Sequence, residues 1–173
     1  KPLGFLDARI RTGNSLIGST PALLADGIPD AAFKEIAGDD KKYAAAIRKQ
    51  NKAERAGQYS LFAGEGTFDP AVLARARSVL LAPTDDVAAT RAQAAQWQAY
   101  EHSQAVRRAH LHADAWAAAF VWPLRPGAVP PVTHDTLTRI AENPDDPTLA
   151  ATVAEVERLA HEYRFFHWHL EFP

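Results

Sequence analysis

From Asp85 to Phe120 the chain contains neither glycine nor proline, and alanine is its commonest residue there. Glycine and proline cost about 1 and 3 kcal/mol in a helix interior, so their absence among so many alanines predicts one continuous helix. At about 1.5 Å per residue it would reach roughly 50 Å, more than a single small core can cover. It is therefore expected to pair antiparallel with the helix before it and with the C-terminal helix, its alanines allowing close approach. Trp97, Tyr100, Leu111, Trp116 and Phe120 supply the larger contacts. Such a stripe reads as core, the alternative being a surface on which nucleic-acid bases stack.

The remaining punctuation gives more helices. Thr20-Pro21 offers an N-cap and a first-turn proline for a short helix stopped by Gly27, and Pro29-Asp30 opens another through Ile36, ended by Gly38. Asp39 or Asp40 caps a helix to about Ala56, with Tyr43, Ala46, Ile47 and Ala53 as its buried stripe and Gly57 as its stop. Gly57 to Thr67 reads as a loop pinned by Tyr59, Leu61 and Phe62. Asp69-Pro70 then starts a helix to about Leu81, with Val72, Leu73, Ala76, Val79 and Leu80 at core spacing.

Pro123, Pro126, Pro130 and Pro131 make a stiff loop that no helix crosses. Thr133 or His134-Asp135 caps a short helix through Ala141, Asn143 to Pro147 turns, and Thr148 to Tyr163 presents Leu149, Val153, Val156, Leu159 and Tyr163. Only the two ends read as extended. Arg9 to Thr12 alternates charged and apolar before Gly13-Asn14, a short strand feeding a tight turn, and Phe166 to Phe172 alternates as a half-buried strand would. The expected class is mainly α: residues 1–18 a strand and turn, 19–163 a helical bundle or hairpin insert, and 164–173 an extended return.

Zero cysteines exclude disulfides and thiolate metal sites. No apolar run approaches the roughly 20 residues of a membrane span, so no membrane partner is expected and a cytoplasmic location is the default. The chain starts at Lys1-Pro2 and has no methionine, as an internal piece of a larger protein would. A net charge of -2 argues against a generally basic nucleic-acid-binding domain. The charge is nevertheless uneven: Lys41, Lys42, Arg48, Lys49, Lys52 and Arg55 crowd one helix, opposed only by Asp39, Asp40 and Glu54. That face either meets solvent or contacts phosphates, adding affinity without sequence readout.

Metal chemistry has two candidate patterns. His110 and Asp114 lie at helical i, i+4 spacing with His102 two turns earlier, and His167-x-His169 on a strand would project both rings to one side. Surface or interface histidines and a half-buried strand are the competing readings, and no metal site is expected. There is no Gly-x-Gly-x-x-Gly, no Walker loop, no nucleophile elbow and no Asn-Pro-Pro-aromatic tetrapeptide; Asn143-Pro144 is followed by Asp145.

Three ordered stretches resemble one family. Leu3-Gly4-Phe5-Leu6-Asp7, then Ile10-Arg11-Thr12-Gly13-Asn14-Ser15-Leu16-Ile17-Gly18, and finally Phe166-His167-Trp168-His169-Leu170-Glu171-Phe172-Pro173 look like the large adenine-specific DNA methyltransferases of bacterial restriction-modification and phage defence, type IIG-like and DISARM-type. Asp114-Ala115-Trp116-Ala117-Ala118-Ala119-Phe120 adds a piece between them.

The resemblance implies an internal fragment between the S-adenosylmethionine loop and the Asn-Pro-Pro-aromatic loop, its ends joining a Rossmann-like methyltransferase sheet. It implies no catalytic residue within the fragment, since adenine N6 methylation needs that outlying loop to hold an extruded base. It also implies that Asn14, with Ser15 beside it, borders the adenine of S-adenosylmethionine. DNA would be bound through the full-length protein, with the basic helix touching phosphates. The other reading is a stand-alone helical protein-interaction module without catalytic activity.

Overall fold

Short-range capping decides most of the helix boundaries. In the computed structural model, which describes residues 7–58, 70–83 and 86–173, the Thr20 hydroxyl accepts the Leu23 amide at 3.3 Å and starts α1, Pro21–Asp26. Gly27 ends it at φ 75°, where a side chain would also overlap the His134 ring. The next expected helix is only a 3-10 turn, Asp30–Phe33. Asp40 caps α2, Lys41–Gln58, through its carboxylate on the Tyr43 amide at 2.8 Å. Asp39 instead accepts from the amides of Leu124 and Ile36, fixing the start of α2 to the proline-rich loop.

α3 spans Pro70–Leu80 and α4 spans Val87–Glu101, the latter capped by Asp86 on the Ala89 amide at 2.7 Å. The single long helix expected from residue 85 to 120 is two. The chain breaks at His102 and Ser103, and α5, Gln104–Ala118, starts afresh with the Ser103 hydroxyl facing the Val106 amide. The His102 ring donates to the Gln98 carbonyl at 2.8 Å, which also accepts the His102 amide at 3.0 Å, so this residue closes the end of α4 with both its backbone and its side chain. The break lets the two halves serve different cores. α4 packs on α3, whereas α5 packs on the later helices α6, His134–Glu142, and α7, Ala150–Tyr163.

The larger core gathers Phe33, Ile47, Trp116, Trp122, Val132 and Val156 around a run of buried alanines, Ala115 and Ala117–Ala119, that lets the neighbouring helices approach α5 closely. The two indoles of this core keep their polar edges paired, Trp116 to the Gly27 carbonyl and Trp122 to that of Val129. The smaller core joins Ala76 and Val79 of α3 to Trp97 and Tyr100 of α4, with Ala8 and Val106. The expected stripe on α2 is partly corrected: Ala46 and Ala53 are exposed, and Ala44, Ile47 and Asn51 face inward.

The end segments also differ from the expected strands. Asp7–Arg9 is a 3-10 turn, and after Arg164 the chain runs only briefly extended before α8, Trp168–Glu171. Among the described residues no sheet forms; a single parallel bridge pairs Asn14 with Phe165. The expected features at Leu3 to Leu6, Tyr59 to Asp69 and Thr84-Asp85 lie outside the described residues.

Candidate functional site

The segments around Asn14 and Phe165 meet on α5. α7 stops at Arg164, which turns left-handed at φ 55° and leaves its carbonyl to accept the Asn14 amide at 2.7 Å. The Phe166 amide then donates to the Ile17 carbonyl at 2.8 Å. Between these contacts the Gly13–Gly18 loop folds around Phe166. A Cβ on Gly13 would come within 2.5 Å of the Phe166 ring, and one on Gly18 would overlap the Phe166 carbonyl oxygen. Both glycines are therefore required by close approach, not by a left-handed backbone.

Beneath this loop lies a buried polar chain. The Ser19 amide donates to Nδ1 of His167 at 3.0 Å, the Ser19 hydroxyl sits 3.0 Å from the same nitrogen, and Nε2 of His167 reaches Asp114 Oδ1 at 2.9 Å. An amide can only donate, so Nδ1 is the acceptor and the proton sits on Nε2, pointing at Asp114. His167 is 1% exposed. His169 follows two residues on; burial first, then His167, pushes its imidazole below the usual value, while the Ser19 backbone pulls the other way. Burial likewise lowers His110, whose ring stands 6.4 Å from that of His167, while Glu171 and Asp114 pull it back up.

Beside the junction a cleft of about 390 Å³ opens between α4, α5 and α8, lined by Arg11, Tyr100, Glu101, His110, Asp114 and Glu171 among others. Arg11 spans it, paired to Glu101, 3.5 Å from Glu171 and with its guanidinium 5.5 Å from the centre of the Trp97 ring. Arg11 thereby ties the N-terminal segment to the smaller core through Trp97 and to α8 through Glu171. Burial raises the Tyr100 phenol, and Arg11 opposes that rise.

The sequence-derived candidates fall in two places. Asn14 and Ser15 lie on the Gly13–Gly18 loop. The Asn14 side-chain oxygen accepts the Leu16 amide at 3.2 Å, which leaves it one lone pair, and Ser15 is exposed. Lys41, Lys42, Arg48, Lys49 and Lys52 are all exposed and form no ion pair with a described residue. At about 100° per residue the five cover roughly 120° of α2, on the arc that starts where its buried stripe ends, over some 16 Å of its length. Arg55 differs from them: it is held by Asp26, through the carbonyl at 3.3 Å and the carboxylate at 3.6 Å.

His102, His110 and Asp114 do not converge, and among the described residues no group of three histidines and carboxylates could hold a metal ion. His167 and His169 are not on a strand; their rings lie edge to face, 6.3 Å apart, at the start of α8. Sequence reasoning singled out His167 and Asp114 separately and missed Ser19, their third partner. It also missed Asn51, which is fully buried and joins three elements.

No protein-family model matches this chain, and no curated protein or solved structure matches it either. Among the described residues no helix is long and apolar enough to cross a membrane.

Proposed function

We propose that the chain is the helical insert of an S-adenosylmethionine-dependent DNA adenine-N6 methyltransferase, with short flanking pieces of the methyltransferase body at either end. The observation that carries this reading is the meeting of the ends: Asn14 bridges Phe165, so a large helical excursion leaves and returns at one point, as an insert must. The segments that meet are the same ones whose residues resemble the family. The sheet, the glycine-rich cofactor loop and the base-modifying loop belong to parts beyond these residues, and the insert itself supplies no catalytic group.

In this reading Asn14 and Ser15 border the cofactor adenine, where an amide oxygen with a spare lone pair accepts the exocyclic N–H. The cofactor supplies the methyl group; these two residues only orient it. In the full-length protein Asn14→Ala is expected to weaken S-adenosylmethionine binding about tenfold, the loss of one hydrogen bond of about 1.4 kcal/mol, with circular dichroism unchanged. Calorimetric titration checks this, and unaltered affinity would remove the assignment.

The α2 face fits a phosphate backbone, since its exposed side chains include five cations and no carboxylate. Changing Lys41, Lys49 and Lys52 to glutamate in the full-length protein should weaken DNA binding to a similar degree for every sequence tried. It should also lower the salt slope of log K by about 3. An unchanged slope would mean that the helix meets only solvent.

A second reading, a free-standing helical interaction module, draws on the exposed rings of Trp168 and Phe172, 57% and 44% accessible. In the first reading the rest of the enzyme covers them. The coding sequence around the fragment separates the two. A glycine-rich loop and acidic strand upstream, with Asn-Pro-Pro-aromatic shortly after Pro173, are expected. A start directly before Lys1 and a stop directly after Pro173 would leave only the module.

A further inference from the structure

We propose that the junction between Ser19 and the His167-Trp168-His169 segment is a proton-operated latch, closed while both imidazoles are neutral and released when Nδ1 of His167 takes a proton. Donor and acceptor capacity decides it: the Ser19 amide is held by Nδ1 of His167, and the Ser19 backbone also lies beside His169. A proton on Nδ1 turns an acceptor into a donor facing an amide that can only donate, so the buried Ser19 amide loses its partner. The serine hydroxyl can rotate to accept, but the amide cannot. His169 repeats the problem: its Nδ1 is buried with no partner among the described residues, so a proton there adds a donor where no acceptor waits.

The charged neighbours divide. Asp114 on α5 bonds His167 directly and favours the imidazolium. Against it stand His110 on the same helix and His169 on α8, each about 6 Å away ring to ring, so two protonated rings would repel. Glu171 faces His110, and Arg11 counters it from the N-terminal segment. Burial holds both His110 and His169 below the ordinary imidazole value near 6.5. A group depressed in this way binds fewer protons folded than unfolded. The stability it contributes is present above pH 6.5 or so and is lost as the pH falls through that value. Mild acid therefore weakens the packing of His110 and His169 around the junction, in the same sense as a proton on Nδ1 of His167, and what is released is the loop that wraps Phe166.

Amide exchange on the chain, corrected for intrinsic rates, tests this. Between about pH 7.5 and pH 5.5 the Ser19 and Phe166 amides should lose protection by about tenfold or more, while those of α5 and α7 keep theirs. His167→Asn places an untitratable carbonyl oxygen near the position of Nδ1 and should remove most of the pH dependence of the Ser19 protection, leaving only the smaller part that His110 and His169 supply. Protection that persists at pH 5.5 in the natural chain, or an Asn variant that loses it just as the natural chain does, overturns the latch. Should the variant not fold, the ¹⁵N shifts of the His167 ring in the natural chain decide: a neutral ring protonated at Nε2 near pH 7.5, charging in step with the loss of Ser19 protection, is expected. An imidazolium already paired with Asp114 at that pH contradicts the proposal.

Discussion

Replacing Gly18 with alanine should separate the two ends of the chain while leaving the helical body folded. The new methyl group would overlap the Phe166 carbonyl oxygen, a backbone atom that no rotamer change moves aside. Relief requires the 13–19 loop to lift, which breaks the Asn14–Arg164 and Phe166–Ile17 hydrogen bonds and takes the Ser19 amide from His167. With at least one buried partner on each side left unsatisfied, the cost is on the order of 2–4 kcal/mol. It should appear as fast exchange at Asn14, Ser19 and Phe166. Gly57→Ala is the matched control: among the described residues nothing lies within 4 Å of its Cβ, and it occupies the last turn of α2, where alanine is the better helix former. A Gly18→Ala protein whose exchange matches that of the control would show that the loop does not hold Phe166 as described.

Asn51→Ala should be the most damaging single truncation on α2. The side chain is completely buried, yet both its donors and its oxygen are engaged: Nδ2 donates to the Ile28 carbonyl at 3.0 Å and to Asp30 at 3.1 Å, and Oδ1 accepts the His134 amide at 2.9 Å. The last of these bonds, with Glu54 on the Asp135 amide at 3.0 Å, caps α6, because Thr133 at the N-cap makes no side-chain cap of its own. Truncation orphans the first amide of α6 and the Ile28 carbonyl together, costing roughly 2–5 kcal/mol. At about 2–4 °C per kcal/mol for a chain of this size, a fall in melting temperature near 10 °C is expected.

Asn51→Asp is sharper still. It sets a carboxylate against the Ile28 carbonyl and the Asp30 carboxylate, so it should destabilise more than alanine at pH 7. Its pKa would be raised in the folded state, so stability returns as the pH falls and the new carboxyl takes a proton. Thermal melts of the three proteins at neutral and mildly acid pH decide this. Equal stability of the Asp and Asn forms at pH 7 would contradict the bonding pattern.

The helix starts were legible because capping is local. Thr20, Asp40 and Asp86 each bond an amide three residues on, and Pro21 and Pro70 sit where a missing N–H costs nothing. The break between α4 and α5 was not, since Glu101 to Gln104 are all tolerated in helices and nothing there stops one. What divides them is the partner each half finds, α3 for one and α6 with α7 for the other. At the ends, alternating residues suggested strands, but no adjoining strand is present for them to pair with among the described residues. The 165–171 stretch instead turns into α8 after a single bridge.

The buried chain at the junction was hidden for a different reason. Ser19 and His167 are 148 positions apart and Asp114 lies between them, so no spacing rule connects the three. The clue the sequence did carry was the pair of glycines bracketing Asn14 to Ile17. They were readable as a tight loop, though not as one shaped to Phe166. Asn51 left a fainter trace, a polar residue on the inward stripe of α2, where a neighbour such as Ala53 looked the more natural core position.

A nuclear Overhauser spectrum of the chain near pH 7.5 reads the closure of the 13–19 loop and the 164–167 segment over α5 directly. Cross-peaks from the Gly13 α-protons to the Phe166 ring, and from the Asn14 amide to the Arg164–Phe165 backbone, are expected together with slow exchange at Ser19. Protected helices in α5 and α7 without any of those cross-peaks would show the ends apart, and the insert reading would fall with them.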